Sequence, residues 1–293
     1  MINSFWMVLS AFFYAAYALF LKFASIDGLT SFEILFYRSL VGLVFISAVM
    51  LWRGIGFHTR HPKEHACRSV IGASCIVFGA VAISGIDIGM AQTLNNITPL
   101  FIGLILCAGC LRRRQPLPWG VVLSLVLGFA GVVLMVGPSV NPGEYLAVAG
   151  GLVSAFTGAV AMMFIPVLSR LKEPEERVLF YFFLAGVVGG LAGIFFTGGI
   201  HIASLSTVGW IAGFSFSSTM LQVCLTLAFA RGDTGLTGFL QYLTIPFSVI
   251  FGMVFLGESI TLSAVAGMAV VVAAGILATV FTARARRAAK NAA

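Results

Sequence analysis

Charge is scarce in this chain: 9% of its residues are charged against 60% hydrophobic ones, which excludes a soluble globular domain. What charge exists avoids the middle of the apolar stretches. All ten acids (Asp27, Glu33, Glu64, Asp87, Glu144, Glu173, Glu175, Glu176, Asp233 and Glu258) fall in connections or near helix ends, and His58, His61, His65 and His201 fall in connections too. A proton relay through a bilayer needs a titratable group along its path, and none is placed there. There is no HExxH helix and no facing pair of intramembrane acids, so an integral-membrane enzyme lacks its convergent groups. Cysteine is also sparse. Cys67, Cys75, Cys107, Cys110 and Cys224 sit within helices or at their ends, and the CxxC spacing of Cys107 and Cys110 has no further ligands nearby to make a zinc site. Nothing in the chain calls for a metal or a cofactor.

What is present is apolar and repetitive. Crossing a bilayer takes roughly 20 apolar residues per helix. Ten stretches qualify, at about 4–24, 32–52, 67–84, 88–110, 118–137, 146–169, 178–198, 207–230, 236–257 and 260–283. The expected fold is therefore all-α, because lipid leaves free amide groups without partners. The chain also says the same thing twice. At one constant offset Ser10, Ala11, Phe12, Ala15, Phe20 and Ser25 fall on Ser154, Ala155, Phe156, Ala159, Phe164 and Ser169, and Leu35-Phe36-Tyr37 falls on Leu179-Phe180-Tyr181. After a shift of three more residues Pro99, Gly120 and Gly128 match Pro246, Gly267 and Gly275. Each copy, residues 1–140 and 141–293, holds an odd number of stretches, so the second enters the bilayer from the opposite side. Two inverted five-helix repeats predict alternating access around a central site. The first stretch has no basic leader and opens the first repeat, so a cleaved signal peptide is not expected.

The formal net charge of +7 does not point to nucleic acid. Most of the 17 basic residues lie in alternate gaps or at the C-terminus: Arg53, Arg60, Lys63 and Arg68, then Arg112 to Arg114, Arg170, Lys172, Arg177 and Arg231, and the tail from Arg284 to Lys290. Positive-inside bias places both termini in the cytoplasm of a multi-pass protein of the cell inner membrane. Lys22 and Arg38 are the exceptions. Arg38 lies about a turn and a half into the second stretch. It can snorkel outward, pair with Glu33, or meet a substrate carboxylate.

Polar side chains inside the spans are the candidate site. Gln92, Asn95, Asn96 and Pro99 share one face of the fourth stretch. Ser215, Ser218, Thr219, Gln222 and Thr226 share a face of the eighth, and Thr237, Gln241, Thr244 and Ser248 a face of the ninth. Such residues also serve as interhelical glue, each contributing about 0.6 kcal/mol. The amides exceed what packing requires, so Gln92, Asn95, Asn96, Gln222, Gln241, Tyr242 and Ser218 are read as orienting a substrate, with Tyr14, Tyr17 and Phe156 as apolar walls. Pro99 and Pro246, near the middles of repeat-related helices, each leave a carbonyl unpaired, at Asn95 and Tyr242, and mark the break used for gating.

The segment IPFSVIFGMVFLGESITLSAVAGMAVVVAAG, residues 245–275, resembles the last two helices of an EamA repeat of the drug/metabolite transporter superfamily. The resemblance rests on Pro246, Gly257-Glu258 and the small residues Gly267 and Gly275, and Arg38 in FYRSLVG resembles an arginine often found at the start of the repeat's second helix. The first copy departs from this pattern with Cys110-Leu111-Arg112 in place of Gly257-Glu258, and the second has Phe182 in place of Arg38, so neither Glu258 nor Arg38 can be a symmetric coupling group. The resemblance implies export of small metabolites, and the chain looks like the aromatic amino-acid exporter branch. A neutral cavity of amides and tyrosines suits a zwitterion with a flat apolar side chain. With no acid at mid-depth, facilitative or exchange transport is expected over proton coupling. The alternative is a multidrug or organic-cation exporter, which would favour an acid or an aromatic cage at the site. The expected partners are a small-molecule substrate and the bilayer, with no nucleic acid, and a monomer suffices because both repeats lie in one chain.

Overall fold

The computed structural model describes residues 5–112, 114, 116–136, 141–197, 204–231 and 240–291, and among them every regular element is helical. In chain order these are α1 (Phe5–Ile26), α2 (Ser31–Arg53), α3 (Pro62–Gly85), α4 (Ile88–Asn95), α5 (Thr98–Arg112), α6 (Trp119–Val136), α7 (Tyr145–Arg170), α8 (Glu175–Thr197), α9 (Leu205–Arg231), α10 (Thr244–Phe251) and α11 (Leu262–Asn291). Eight helical segments are long and apolar enough to cross a membrane, counting α4 and α5 together, and two shorter apolar ones, Trp119–Met135 and Gln241–Leu256, complete the set. The chain is thus a multi-pass membrane protein. Thr237 and His201 lie outside the described residues.

Local chemistry sets the helix ends. A capping box opens α2: the Thr30 hydroxyl accepts from the Glu33 N–H at 3.3 Å, and Glu33 accepts from the Thr30 N–H at 2.8 Å. Gly54, at φ 67°, closes the same helix in the left-handed region that a side chain resists. The fourth stretch breaks as its proline requires. Pro99 sits in the first turn of α5 and cannot donate to the Asn95 carbonyl, which instead accepts from the Thr98 hydroxyl at 3.0 Å. The ninth stretch is irregular as well. A 3₁₀ turn (Gln241–Leu243) precedes α10, the Thr244 hydroxyl donates to the Gln241 carbonyl at 2.9 Å, and a π-helical turn (Gly252–Leu256) ends at Gly257, with φ 66°.

The helices pair across the middle of the chain. The principal neighbours are α3 with α7, α6 with α11, α1 with α9, and α2 with α8, and α4 lies against α10. Each pair joins a helix of the first half to one of the second. Close backbone approach marks two of these seams. A Cβ on Gly190 of α8 would stand 2.7 Å from the Phe36 nitrogen of α2, and one on Gly267 of α11 would stand 2.5 Å from the Met135 nitrogen of α6. The large core runs through α1, α3, α4, α5, α6, α9 and α11 around Leu21, Ile83, Leu94, Leu100, Met135 and Phe214, while Ile46, Phe182 and Phe183 form a smaller cluster between α2 and α8.

One end of the bundle, called here the basic end, carries the connections 54–61 and 171–174. These are tied together by the Arg53–Glu176 ion pair, by Thr59 and Arg177 donating to Glu173 at 2.8 Å each, and by the Tyr181 hydroxyl donating to the Phe57 carbonyl at 3.0 Å. The opposite, acidic end carries Asp27, Asp87, Glu144 and Glu258.

Candidate functional site

The α4–α5 break brings polar groups to the middle of the bundle. Gln92, Thr93 and Asn96 are buried and Asn95 is half-buried. The Gln92 Nε2 donates to the Tyr14 carbonyl of α1 at 3.4 Å, and the Asn96 amide donates back to the Gln92 carbonyl at 2.8 Å. Asn95 and Ser154 of α7 both stand over Gly79 of α3, where no side chain intervenes. Ser154 in turn donates to the Cys75 carbonyl at 2.8 Å and lies 3.5 Å from the Cys75 Sγ. On the facing side, Ser10 of α1 bonds the Leu221 carbonyl of α9 at 3.0 Å.

Several of these groups are buried without partners. Gln92 Oε1, Asn95 Oδ1 and the hydroxyls of Ser215, Ser218 and Ser248 make no hydrogen bond. Buried polar atoms are ordinarily satisfied, and each exception asks for an occupant. They come from α4, α9 and α10, hence from both halves of the chain.

The other singled-out residues are distributed unevenly. Tyr14 and Tyr17 lie together, ring centroids 6.1 Å apart, beside Gln92. Tyr242 is buried but turns its hydroxyl onto Gly275 and Thr279 of α11. Gln241 and Gln222 are half-buried. Phe156 is 44% exposed on α7, its ring 5.6 Å from Phe101 of α5. Pro99 is half-buried at the break and Pro246 is exposed on α10. The side chain of Thr226 lies outside the described residues.

Arg38 does not snorkel. It is 6% exposed, donates from Nη1 to the Tyr17 hydroxyl at 3.3 Å, and lies 5.0 Å from that ring's centroid. A second arginine joins it. Arg68, read from the sequence as a charge of the basic connection, lies in the second turn of α3 with its guanidinium 4.2 Å from the Phe182 ring centroid. The signal available in the sequence was Arg68's place inside an apolar stretch rather than before it.

At the acidic end the Glu258 carboxylate accepts from the Ile88 N–H at 3.1 Å and so clasps the start of α4 to the turn after the π-helical segment. Lys22 of α1 donates to the Ile86 carbonyl at 2.6 Å beside it. Burial pushes the Glu258 carboxyl up to about 7, with Asp87 adding to the rise and the Ile88 bond and Lys22 opposing it. Burial likewise raises Asp87, with Lys22 opposing and Glu144 reinforcing. A cavity of about 300 Å³ lined by Asp87, Met90, Asn141, Glu144 and Thr261 opens at this end.

Known proteins resemble this one in sequence and in fold. Residues 1–137 match the EamA-like transporter family. An uncharacterized transporter of Helicobacter pylori is 25% identical over 86% of each chain. The pseudopaline exporter of Pseudomonas aeruginosa is 26% identical over 83% of this chain and 84% of its own. A riboflavin transporter of Rhizobium johnstonii is 23% identical over 74% of this chain and 70% of its own. A protein of known crystal structure superposes with a TM-score of 0.57 over 95% of this chain and 98% of that one, at 18% identity, and so shares the fold. The family match covers just under half of the chain, and the relatives that align along more than four-fifths of it are themselves named as transporters.

Proposed function

We propose that this protein is a bacterial inner-membrane exporter of small metabolites, of amino-acid type with a neutral or aromatic side chain. It works by alternating access between two inverted repeats, residues 1–140 and 141–293, with both termini in the cytoplasm. The observation that carries the reading is the set of buried, unpartnered atoms at Gln92, Asn95, Ser215, Ser218 and Ser248, which come from helices of both halves. The pairing of helices supports the repeat. Exchanging the first five spans for the last five turns α1·α9 into α7·α3, and leaves α2·α8, α6·α11 and α4·α10 each paired as before. The breaks near Pro99 and Pro246 stand at matching places in that scheme, as discontinuous helices at a substrate site do.

In this mechanism Gln92, Asn95, Asn96, Gln222, Gln241 and Ser218 orient the polar end of the substrate, and Tyr14, Tyr17, Tyr242 and Phe156 line its path. No titratable acid occupies that interior among the described residues, which supports facilitative or exchange transport. Counterflow in proteoliposomes tests the proposal. Vesicles holding unlabelled phenylalanine, tryptophan, threonine or methionine receive the labelled counterpart outside, with and without a proton ionophore. Uptake of labelled aromatic amino acid that survives the ionophore is expected. Absence of uptake for every amino acid refutes the amino-acid assignment, and uptake abolished by the ionophore refutes the uncoupled mechanism.

A further inference from the structure

Two cations stand inside the bundle without an anion. Two ion pairs form among the described residues, Arg53–Glu176 and Arg177–Glu173, both at the basic-end connections, where the His65 imidazole also lies 3.4 Å from Glu173. Arg38 and Arg68 take part in neither of them. Arg38 Nε and Arg68 Nε and Nη1 are buried with no hydrogen-bond partner, and each guanidinium is held over an aromatic face instead. A ring face attracts a cation but leaves its N–H donors free.

Arg38 lies about 10 Å along α2 from the acidic end and Arg68 about 9 Å along α3 from the basic end, at the helical rise per residue, so the two line the interior at different depths. Tyr14, Ser154 and Asn95 surround the stretch of α3 from Cys75 to Gly79. A buried charge without a counter-ion is costly, and ionisable residues kept inside membrane bundles mark the path of a substrate or ion. The planar guanidinium fork matches a carboxylate with two parallel hydrogen bonds.

We propose that Arg38 forms a carboxylate site inside the bundle, with Arg68 a second carboxylate contact nearer the basic end, so that the transported molecule carries a carboxylate which supplies the missing counter-ion. Arg38 is the principal ligand, held in place by Tyr17, and Arg68 is the basic-end contact. The proposal rests on the transporter reading above and narrows it: a carboxylate is required, whereas an ammonium group is not.

The test uses thermal unfolding of the purified full-length protein with millimolar phenylpropionate and succinate, each beside its neutral amide, phenylpropionamide and succinamide. The acids are expected to raise the unfolding temperature and the amides to leave it unchanged. Arg38→Gln should weaken the apparent affinity for the acids by about tenfold or more. Arg38→Lys should recover part of it, and Arg68→Gln should weaken it to a smaller degree. Tyr17→Phe separates positioning from simple support, because it removes the hydroxyl partner yet should keep the preference for acids. Equal shifts from acids and amides, no shift from any acid, or full affinity in Arg38→Gln overturns the proposal. If Arg38→Gln does not fold, the acid-against-amide comparison in the unmodified protein still decides. Counterflow of the same probes keeps the two readings apart. Acid binding without any counterflow counts against transport and leaves the site standing; amides exchanged as fast as acids sink the site and leave transport standing.

Discussion

Replacing Glu258 by glutamine should stabilise the protein at alkaline pH, although it removes a charge that accepts a backbone hydrogen bond. In the folded protein this carboxyl is pushed up to about 7, against an ordinary value of 4.5, because burial beside Asp87 outweighs the Ile88 bond and Lys22. The folded state therefore holds the proton more tightly than the unfolded one. The stability contributed by protonation is fully present below the ordinary value, and it is lost as the pH rises through about 7. At full strength that interval corresponds to about 3 kcal/mol, and solvent reaching the half-buried group reduces it to about 1–2 kcal/mol. Thermal unfolding between about pH 5 and pH 8.5 reads this directly, because glutamine stays neutral throughout while keeping the shape of the acid. The two proteins should match at the acid limit. The original should then fall behind by a few degrees at the alkaline limit, the size of shift about 1–2 kcal/mol gives a chain of this length. A Glu258→Gln protein that is less stable than the original at alkaline pH would show that the Ile88 bond, and not burial, governs this carboxyl.

Three further substitutions test separate parts of the structure. Gly267→Ala places a Cβ 2.5 Å from the Met135 nitrogen, which cannot retreat as a side chain would, so α6 and α11 must part at a cost of about 1–3 kcal/mol; an unchanged unfolding temperature would refute that close approach. Burial alone raises the Glu173 carboxyl, but the bonds from Thr59 and Arg177 outweigh it and hold it below its ordinary range. The stability it contributes is thus present above that range and lost as the pH falls through its lowered value, so Glu173→Gln should cost about 2 kcal/mol at neutral pH and little in acid, as unfolding midpoints at the two pH values will report. Asn95→Ala, made at the α4–α5 break, should slow counterflow about fivefold through a higher half-saturation concentration, with unfolding nearly unchanged; intact counterflow would remove Asn95 from the site.

The helices themselves were legible in the apolar runs, because a span must be both long and uniformly apolar. The break at Pro99 was legible too, since a missing N–H has only one structural consequence for the Asn95 carbonyl. That Thr98 would take that carbonyl was not, because a hydroxyl at the start of a helix has several equally local choices. Rotation of helices about their own axes was the larger gap. Apolar helices show little periodicity to say which face turns inward, so Phe156 turned out 44% exposed and the Tyr242 hydroxyl met Gly275 of α11. Arg68 illustrates a different difficulty. A basic residue close to the end of a span counts toward topology whether its head reaches water or bends inward over Phe182, and only packing separates the two.

The pairing of helices also has a consequence for how such a chain comes to fold. Since α1, α2, α3 and α6 find their principal neighbours in α9, α8, α7 and α11, most of the packing of each half lies against the other. Early in synthesis, the helices of the first half lack most of their packing partners until those of the second half arrive. The molecule then gains its structure as one cooperative event, and cutting it between the halves should separate two pieces that are each other's only template.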